Sequence, residues 1–491
     1  MSYIGLDVGT SGCKAAVITS DGEISYSAAK EYPFISPRAG YVELDPAVVW
    51  KAVKTVLKQI APHAQNAGVI AVSSIGEAMV ILDKSENILY NGITYLDQRC
   101  QDTLSEIEKK ISPHELHKIT GVSTNQMFTL NKFIWFQRHM PDILLKADKY
   151  FLFGDYITYM LSGIRAIDPG SASRTMFFDA GNCEWSQKIA DMFDIPIERF
   201  SKITAPGTHL AAIKEQLVFE LGLPDSLTVI MGTHDQCAAT LGSGSLMPGQ
   251  VMLGQGSTES INCVIHKEQL NDLLIDRQLC FEPYVTDDSY IIITGNLTHG
   301  SSITWFTKTF YGDKTEETLD YSSLYQNCPD NAGDVFFLPH LSRVNLMDAQ
   351  NQALGGFLGV DVTVTRSQMF RALLEGLCCE SRTSMDIFDE IGVNINKITA
   401  SGGASSSAYY MQMKADVLKR PIHILENPQA GIMGLGIISA VAAGDFASLG
   451  EAIYHFIKCR KSYTPQRCYD EQYQTYSFIN KTIKQMYRDL H

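Results

Sequence analysis

The sequence predicts an α/β protein built from two lobes of related architecture. Strands and helices alternate along its 491 residues, which is typical of layered α/β folds rather than of sandwiches or helical bundles. A strand, a glycine-rich turn with hydroxyl residues and a second strand occur at the N-terminus and again after residue 249. The link GSGSLMPG lies before the second occurrence, so we place one lobe in residues 1–244 and the other in residues 245–491.

Composition narrows the class of partner. Hydrophobic residues make up 45% and charged residues 19% of the chain, as in ordinary globular proteins. The formal net charge of −14 argues against nucleic acid or an anionic membrane as the main partner. A phosphate ligand stays open, because backbone N–H groups bind phosphate without a positive net charge.

Location is predicted from cysteine usage and apolar runs. The 11 cysteines contain no CxxC pair, which favours reduced thiols, and the N-terminus has no signal-peptide pattern. The late run AGIMGLGIISAVAAG is too short for a membrane span and predicts a buried core helix. We therefore expect a cytoplasmic protein.

The elements of the first lobe follow in order after the opening hairpin. Asp45 and Pro46 are typical of an N-cap and a first helical position, and this helix should end before Pro62. A buried strand is predicted over 68–74, two strands in MVILDKSENILYNGITYL, and a helix in TLNKFIWFQRHM. A strand from Leu227 to Met231 then ends at Gly232.

The second lobe repeats the strand–turn–strand pattern in VMLGQGSTESINCVI. Further on, a strand over Ile398–Ala400 meets Gly402, Gly403 and Ala404, and a helix begins in the following serines. Two glycines there allow a flat group to approach the backbone, while a helix N-terminus favours anions. A close strand–helix crossover explains the same glycines equally well. GxGxxG and GxxxxGK[ST] loops are absent from the sequence, which disfavours Rossmann and P-loop sites.

The opening turn predicts a phosphate site. Gly9, Thr10 and Ser11 offer N–H groups and hydroxyls to one anion, and Lys14 adds a positive charge. Asp7 is out of place beside a phosphate unless it holds Mg²⁺, which neutralises the phosphate oxygens. The alternative is a plain β-hairpin whose residues only satisfy turn geometry. Two such turns, one in each predicted lobe, favour the phosphate interpretation.

A carboxylate at the end of the strand Leu227–Met231 predicts a general base. Asp235 follows that strand directly and precedes a helix, where a ligand in the crevice of an α/β sheet is within reach. It could accept a proton from a substrate hydroxyl during phosphoryl transfer. An N-cap role is the alternative for Asp235. For His234, packing or capping is favoured over a catalytic role.

These motifs resemble the FGGY family of carbohydrate kinases over essentially the whole chain. GLDVGTSGCKAAV is similar to the first phosphate loop of that family. MFTLNKFIWFQRH resembles its first signature, with Lys132 and Trp135 in place. GGFLGVDVTVTRSQMFRALLE resembles the second signature, with Gly359, Gln368 and Glu375. The resemblance implies the two-lobed actin/hexokinase/Hsp70-like ATPase fold.

The resemblance also implies roles for individual residues. GTHDQ matches the motif of the catalytic base, so Asp235 is the implied base. GQGST matches the second phosphate loop and implies Gly256 and Ser257 as ligands of ATP. SGGASSS matches the adenosine loop and implies the following nucleotide-binding residues: Gly402, Gly403, Ala404 and Ser407.

The sugar pocket of the family draws on two segments, SSIGEAMVIL and GITYLDQR. Glu77, Ala78 and Tyr95 are the implied substrate-binding residues, together with Asp235 and Gln236. The Arg-Glu of glycerol kinases and the Gln-Met-His-Gly of xylulokinases are both absent at Gly76–Met79, although Gln236 resembles glycerol-type members. The stretch FLPHLSRVNLMDAQNQALGGFLG departs from the usual family pattern.

The predicted function is ATP- and Mg²⁺-dependent phosphorylation of a primary hydroxyl on a small ketose or polyol. A xylulose-like ketose is the first expectation, with glycerol, another polyol or gluconate as alternatives. The first lobe is expected to carry the sugar and the Mg²⁺–phosphate side, and the second lobe the adenosine side. A chaperone- or filament-type ATPase and a sugar-sensing pseudokinase are the alternatives of another class. A homodimer is the expected assembly.

Overall fold

The structure is a computed structural model that describes residues 1–312, 324–325, 327–342 and 353–490. Its contacts divide these residues into two compact units. The first comprises 1–246, 280–291 and 429–457, and the second comprises 247–279, 292–428 and 458–491 within the described ranges. Assignment of the sugar and adenosine sides to residues 1–244 and 245–491 stays a prediction.

Short strands and helices alternate over the first 246 residues. The strands are β1 (Ser2–Val8), β2 (Gly12–Thr19), β3 (Ile24–Glu31), β4 (Glu43–Leu44), β5 (Ala67–Ser74), β6 (Met79–Asp83), β7 (Ile88–Tyr90), β8 (Gly92–Ile93), β9 (Ala147–Leu152), β10 (Ala166–Ile167), β11 (Phe178–Asp179), β12 (Glu184–Trp185), β13 (Lys202–Ile203), β14 (His209–Ala212), β15 (Thr228–Ile230) and β16 (Thr233–His234). The helices are α1 (Pro46–Ile60), α2 (Leu104–Lys110), α3 (Pro113–Thr120), α4 (Thr129–His139), α5 (Pro141–Lys146), α6 (Phe153–Ser162), α7 (Pro169–Ser173), α8 (Gln187–Met192), α9 (Glu215–Leu221) and α10 (Asp235–Gly242).

The remaining described residues continue the same alternation. The strands are β17 (Gln250–Gln255), β18 (Glu259–His266), β19 (Cys280–Pro283), β20 (Ser289–Asn296), β21 (Phe336–Leu338), β22 (Gly356–Leu358), β23 (Lys397–Ser401), β24 (Ile422–Leu425) and β25 (Cys459–Tyr463). The helices are α11 (Asp272–Asp276), α12 (His299–Tyr311), α13 (Arg366–Glu390), α14 (Ala408–Leu418), α15 (Ala430–Ala442), α16 (Leu449–Phe456) and α17 (Asp470–Leu490). Short 3₁₀ turns occupy Ala61–His63, Gln101–Thr103, Ile197–Arg199, Lys267–Gln269 and Gly403–Ser406.

The central sheet of the first unit has the order β14-β15-β5-β1-β2-β3, with β16 also paired to β5. The hairpin β1–β2 is antiparallel, whereas β1, β15 and β16 all run parallel to β5. Apolar residues of β1 and β5 pack against helix α1 in one buried core. The carboxyl ends of β1, β5 and β16 therefore meet at one edge of this sheet.

The sheet of the second unit repeats this arrangement in the order β20-β18-β17-β23-β24-β25. Here the hairpin β17–β18 is antiparallel, and β17, β23 and β24 run parallel to one another. In both units the first strand of the antiparallel hairpin, β1 or β17, thus also pairs with a parallel strand, β5 or β23. The predicted α/β class and the repeated strand–turn–strand pattern are confirmed.

Several predicted elements form where their capping residues indicate. Helix α1 begins at Pro46, and the Asp45 side chain accepts a hydrogen bond of 2.8 Å from the Ala47 N–H. The predicted strand 68–74 is β5, and TLNKFIWFQRH is helix α4. Asp235 is the first residue of α10 rather than its N-cap, which is His234.

The apolar run near the C-terminus forms a buried helix, as predicted. A Cβ on Gly434 of α15 would lie 1.9 Å from the Ala238 carbonyl of α10, so the two helices cross at backbone contact. Only glycine allows so close an approach. No helix in the described part of the chain is long and apolar enough to cross a membrane.

Three residues of the second signature, Gly359, Gln368 and Glu375, have close contacts within the second unit. Thr365 caps α13 and forms a capping box with Gln368, while Glu375 accepts a hydrogen bond of 2.6 Å from Arg371 Nε. Gly359 has φ +76°, and a Cβ there would lie 2.0 Å from the Asp334 carbonyl. Part of the atypical stretch from Phe337 to Gly359, residues 343–352, lies outside the described residues.

Candidate active site

Asp7 and Asp235 lie at the same edge of the first sheet, on strand ends separated by β5. The sheet register pairs Asp7 with Ser73, and Ser73 in turn with Thr233, two residues before Asp235. The Ser73 hydroxyl donates a hydrogen bond of 2.8 Å to Asp7 Oδ1. Residues far apart in sequence, each at a strand end, are thereby brought to one edge.

The turn between β1 and β2 is closed by its own backbone. The Gly9 N–H donates to the Gly12 carbonyl at 2.9 Å, and the Tyr32 hydroxyl donates to the Gly9 carbonyl at 2.5 Å. Thr10 hydrogen-bonds to Tyr95, whereas Ser11 is exposed. The turn is held in shape while its outer residues stay accessible to a ligand.

Asp7 carries a charge that the protein compensates only in part. Burial raises the pKa of the Asp7 carboxyl, while Ser73 and Lys14, its cross-strand neighbour, act in the opposite direction. Burial is the largest of these effects, so the net shift is upward. An additional cation beside Asp7 would therefore be favourable.

Glu77 sits in a strained turn after β5. Its backbone has φ +60°, in the left-handed region that few residues other than glycine adopt. The Glu77 carbonyl accepts hydrogen bonds from Lys132 Nζ at 2.7 Å and from Thr129 Oγ1 at 2.9 Å. Lys132 is itself 1% exposed, so this signature residue is a buried support for the turn that presents Glu77.

The Glu77 carboxylate is bound by Arg174. The guanidinium Nε and Nη2 lie 2.8 and 2.6 Å from Glu77 Oε1. Gly76 makes room for this pair, because a Cβ there would lie 2.7 Å from Arg174 Cγ and 3.2 Å from His234 Nε2. Ala78 is fully buried, with its N–H 2.6 Å from the Gly76 carbonyl.

Asp235 belongs to a second group of paired charges, with His234 and Glu282. Glu282 of β19 accepts a hydrogen bond of 2.7 Å from His234 Nδ1, and His234 Nε2 lies 3.2 Å from Asp235 Oδ1. The Glu282 side chain is fully buried and that of His234 is 4% exposed, whereas that of Asp235 is 28% exposed. Asp235 is thus the member of the group that faces outward.

Burial and neighbouring charges set the protonation states of this pair. Burial opposes the charged form of His234, but Glu282 and Asp235 raise the pKa of His234 to about 9. Burial raises the pKa of Asp235 to about 6; His234 acts against this, whereas Asp7, Glu77 and Glu282 add to it. At neutral pH the pair is an imidazolium beside a carboxylate.

Tyr95 belongs to the same cluster. Burial raises the pKa of its hydroxyl, Thr10 lowers it by hydrogen bonding, and the charges of Glu77 and Asp235 raise it. Gln236 follows Asp235 in the first turn of α10 and is half-buried. All the predicted site residues of the first lobe lie in the first unit: Asp7, Gly9, Thr10, Ser11, Lys14, Glu77, Ala78, Tyr95, Asp235 and Gln236. Among them, the charges of Asp7 and Glu77 bear on Asp235, and those of Glu77 and Asp235 bear on Tyr95.

The second unit joins its two predicted loops at the ends of β17 and β23. Gly254 pairs with Ser401 in the register, and Gly402, at φ +95°, places its Cα where a Cβ would lie 2.4 Å from the Gln255 carbonyl. Gly256 and Gly403 are exposed, and a Cβ on Gly403 would meet no atom within 4 Å. Ala404 lies in the 3₁₀ turn that follows, and Ser407 caps α14.

A helix end fixes the Gly256–Ser257 turn. The N–H groups of Gly300 and Ser301, in the first turn of α12, donate to the carbonyls of Gly256 and Ser257 at 3.2 and 3.1 Å. The Gly256 N–H donates to the Thr258 carbonyl at 2.9 Å. Glu259, just after the turn, is buried in an ion pair with Lys414. The two predicted phosphate turns, at residues 9–11 and at residues 256–257, are thus each held in shape by hydrogen bonds from neighbouring segments.

Arg174 and Glu282 are the residues of the cluster that sequence reasoning missed, and it favoured packing or capping over a catalytic role for His234. Arg174 is the single charged residue of SASRTMFF, and Glu282 is the single charged residue of CFEPYV. An isolated charge in a buried segment is the only local signal, because such groups are rarely buried unless paired.

Two places in the first unit offer metal ligands. Asp7 offers a carboxylate to a hard cation such as Mg²⁺, which is commonly held by one or two carboxylates and the phosphates of a nucleotide. His234, Cys237 and Glu282 have ligand atoms within 4.8 Å of one another. There, however, the imidazole and the thiol already bond to Glu282 Oε1, at 2.7 and 3.1 Å.

Comparison with known proteins agrees with this arrangement. Residues 2–242 match the model of the N-terminal domain of the FGGY family of carbohydrate kinases, and residues 262–443 match its C-terminal domain. The xylulose kinase of Bacillus subtilis is 25% identical over 100% of this chain and 98% of its own length. Its similarity spans both domains.

Solved structures with the same fold include two sugar kinases. The xylulose kinase of Rhodospirillum rubrum has a TM-score of 0.90 and 25% identity, covering 99% of this chain and 100% of its own. The gluconate kinase of Lactobacillus acidophilus also has a TM-score of 0.90, at 23% identity, covering 100% of this chain and 99% of its own. The predicted actin/hexokinase/Hsp70-like fold class is confirmed. The chain belongs to the FGGY family of carbohydrate kinases, which use ATP to phosphorylate an alcohol group of a sugar.

Proposed function

We propose that this kinase phosphorylates a primary hydroxyl of a small, uncharged ketose or polyol, with Asp235 as the general base. The observation that carries the proposal is the position of the Asp235 carboxylate. It lies at a sheet edge beside Asp7, Tyr95 and Glu77, and its side chain is 28% exposed while its supports are buried. A base in this position reaches a bound hydroxyl without being freely solvated.

The chemistry is an in-line phosphoryl transfer. The substrate oxygen forms a bond to the γ-phosphorus as the bond from that phosphorus to the β,γ-bridging oxygen of ATP breaks. Asp235 accepts the hydroxyl proton, which later leaves to solvent, and ADP departs. With a pKa of about 6, Asp235 is mostly ionised at neutral pH and is still basic enough to take the proton.

The glycine-rich turns supply the groups that bind ATP. The turn of Gly9, Thr10 and Ser11, with Lys14, suits the transferred phosphate, because Ser11 is exposed and Lys14 adds a positive charge. In the second unit Gly256 and Ser257 form an exposed turn, held by hydrogen bonds from α12, that suits a phosphate. The open space at Gly403, next to Gly402, Ala404 and Ser407, suits the adenosine.

Mg²⁺ is part of the proposal, with Asp7 as the residue that holds it, directly or through water. The upward pKa shift of the Asp7 carboxyl supports this role, because it reports a buried negative charge without full compensation. When bound, the ion would neutralise charge on the phosphate oxygens. Thr10 and Ser11 are the hydroxyl residues of the turn that follows Asp7.

Charge pairing favours an uncharged substrate over an aldonate. Among the described residues of the cluster, Lys132 contacts the Glu77 carbonyl, Arg174 the Glu77 carboxylate, and His234 both Glu282 and Asp235. A substrate carboxylate would find these cations engaged and the acids Glu77 and Asp235 nearby. We therefore place xylulose-like ketoses first, in agreement with the xylulose kinases among the relatives.

The experiment is ADP release with Mg-ATP over a panel of ketoses, polyols and aldonates. We expect one uncharged ketose or polyol to exceed every aldonate in kcat/KM by about a hundredfold or more, the penalty of burying an unpaired charge. Gluconate as the best substrate would contradict the substrate class while leaving the kinase activity intact. A cytoplasmic location and a homodimer stay predictions.

The alternatives of another class make different predictions in the same assay. A chaperone- or filament-type ATPase would hydrolyse ATP without sugar, and a sensor would bind sugar without turnover. Membership of the carbohydrate kinase family and the presence of both Asp7 and Asp235 favour the kinase.

A further inference from the structure

Five side chains of alternating charge form a continuous line through the first unit. Glu77 contacts Arg174 at 2.6 Å, Arg174 Nη1 lies 3.6 Å from Glu282 Oε2, Glu282 contacts His234 at 2.7 Å, and His234 lies 3.2 Å from Asp235. All but Asp235 are nearly or fully buried. The line ends at the one accessible carboxylate, which is the base in the proposed function.

We propose that His234 and Glu282 are positioning residues for Asp235: Glu282 fixes the imidazolium ring of His234, and the ring orients the Asp235 carboxylate and favours its ionised form. The proposal rests on the role of Asp235 as base. It assigns functional roles to His234, which directly precedes the base in the chain, and to Glu282, which lies on β19.

The geometry supports this division of roles. His234 has a partner on each ring nitrogen, so rotation of the ring would break one contact or the other. Gly76 leaves space for the ring in this position, because a Cβ there would lie 3.2 Å from the same ring nitrogen that faces Asp235. A ring held from both sides fixes the position of the oxygen that it faces, Asp235 Oδ1.

The electrostatics act in the same direction. The groups whose charges bear on Asp235 are His234, Asp7, Glu77 and Glu282, with Tyr95 nearby. Those that bear on His234 are Glu282, Asp235, Arg174 and the buried Asp168, which accepts a hydrogen bond from the His234 N–H. Three carboxylates raise the pKa of Asp235, and His234 is the neighbour that lowers it. Without the imidazolium, the base would hold its proton to higher pH.

The test is the pH profile of kcat/KM for the best substrate in wild type and in three variants. His234→Gln should move the acid limb upward by about one pH unit, since a neighbouring charge at this distance shifts a pKa by that order. It should also lower kcat by about ten- to a hundredfold, with the sugar KM within about threefold, because a misplaced catalytic group slows the chemical step.

Glu282→Gln should give a smaller shift in the same direction, because the ring keeps a neutral partner but loses the charge that favours the imidazolium. The double variant should match His234→Gln in kcat, because Glu282 positions the base through the ring. Its acid limb should lie at or below that of His234→Gln, because the charge of Glu282, which raises the pKa of Asp235, is also lost. Cys237→Ser is the matched control: a hydroxyl can keep the bond to Glu282 Oε1, and its acid limb should match wild type.

The outcomes separate this proposal from the proposed function. If Asp235→Asn retains turnover, both fail. If Asp235→Asn is inactive while folded His234→Gln or Glu282→Gln keeps the wild-type acid limb and kcat, only the positioning roles are overturned. If His234→Gln does not fold, Glu282→Gln decides alone, and NMR of ¹⁵N-histidine in the wild-type chain gives a second readout. A ring at His234 that is neutral at pH 7 would overturn the proposal.

Discussion

The ammonium of Lys132 donates a hydrogen bond of 2.7 Å to the carbonyl of Glu77, whose backbone has φ +60°. The Glu77 carboxylate begins the line of charges that ends at Asp235. A left-handed backbone at a residue other than glycine costs about 1–3 kcal/mol and persists only where surrounding contacts hold it. Helix α4 supplies those contacts, since Thr129 bonds to the same carbonyl. A helix distant in sequence thus shapes the turn that presents Glu77, a proposed substrate-binding residue.

Replacing Lys132 with Met should weaken sugar binding more than it weakens the fold. Met fills the space and removes a buried charge, whose burial lowers the pKa of Lys132 to about 8. Replacing a buried charge by an apolar group often leaves the free energy of unfolding within about 2 kcal/mol. Loss of one hydrogen bond to the turn should raise the sugar KM about three- to tenfold.

Steady-state kinetics and chemical denaturation check this, with Lys110→Met as the control. Lys110 also donates to a carbonyl, that of Met192, but it is exposed and outside the cluster. A wild-type sugar KM in Lys132→Met would show that the turn does not depend on this bond.

Gly76→Ala should reduce kcat. Its Cβ would meet Arg174 Cγ at 2.7 Å and His234 Nε2 at 3.2 Å, so both side chains must shift. Displacement of the group beside the base should lower kcat by about ten- to a hundredfold. Gly181→Ala is the control, because its Cβ would make only an ordinary contact of 3.5 Å with Asp179. Equal kcat values for the two variants would show that the close packing at Gly76 has no catalytic consequence.

Asp7→Asn should abolish most activity without destabilising the protein at neutral pH. Burial raises the pKa of Asp7 in the folded state, so the ionised carboxyl opposes folding above that pKa. The asparagine variant should therefore unfold at an equal or higher denaturant concentration at pH 7. The difference should vanish as the pH falls through the folded-state pKa to below the unfolded value, where both states are protonated.

The kinetic part of the Asp7 prediction is a Mg²⁺ titration. Activity should fall about a hundredfold or more and need higher Mg²⁺ concentrations, because a charged ligand of the ion is lost. Asp155→Asn is the control, since Asp155 is another buried carboxyl with a pKa raised to about 8 by burial. An unchanged Mg²⁺ dependence in Asp7→Asn would remove Asp7 from the metal site.

Gly402 and Gly403 should respond differently to alanine. Gly402→Ala meets the Gln255 carbonyl and a strained φ, so it should lower the free energy of unfolding by about 1–3 kcal/mol. Gly403→Ala meets open space, so the fold should tolerate it within about 0.5 kcal/mol while the KM for ATP rises. Thermal unfolding and ATP titrations measure both. A wild-type KM for ATP in Gly403→Ala would remove Gly403 from the nucleotide site.

The sequence predicts those parts of the site that depend on local patterns. Asp7 lies near the end of a strand whose apolar run is visible, and Asp235 follows another. Their shared edge follows from the rule that ligands bind at the carboxyl ends of parallel strands. The α/β class and helix α1, with its Asp45 cap, are predicted for the same reason.

The parts that depend on tertiary contacts were beyond local patterns. Glu77 has no sequence mark of its left-handed backbone, since its conformation is imposed by Lys132 and Thr129 from another helix. Glu282 reaches His234 from a segment that groups with the first unit although it follows the link at 242–249. Pairing of buried charges is a property of the folded chain rather than of any window of sequence.

Conversion of Asp235 to Asn tests the central claim most directly. The measurement is formation of the phosphorylated sugar by the variant and by wild type, with sugar and ATP binding followed by thermal shift. The account predicts a loss of kcat of about a hundred- to ten-thousandfold with binding of both substrates retained, since asparagine fills the same space but cannot accept the proton. Near wild-type kcat in the folded variant would contradict it.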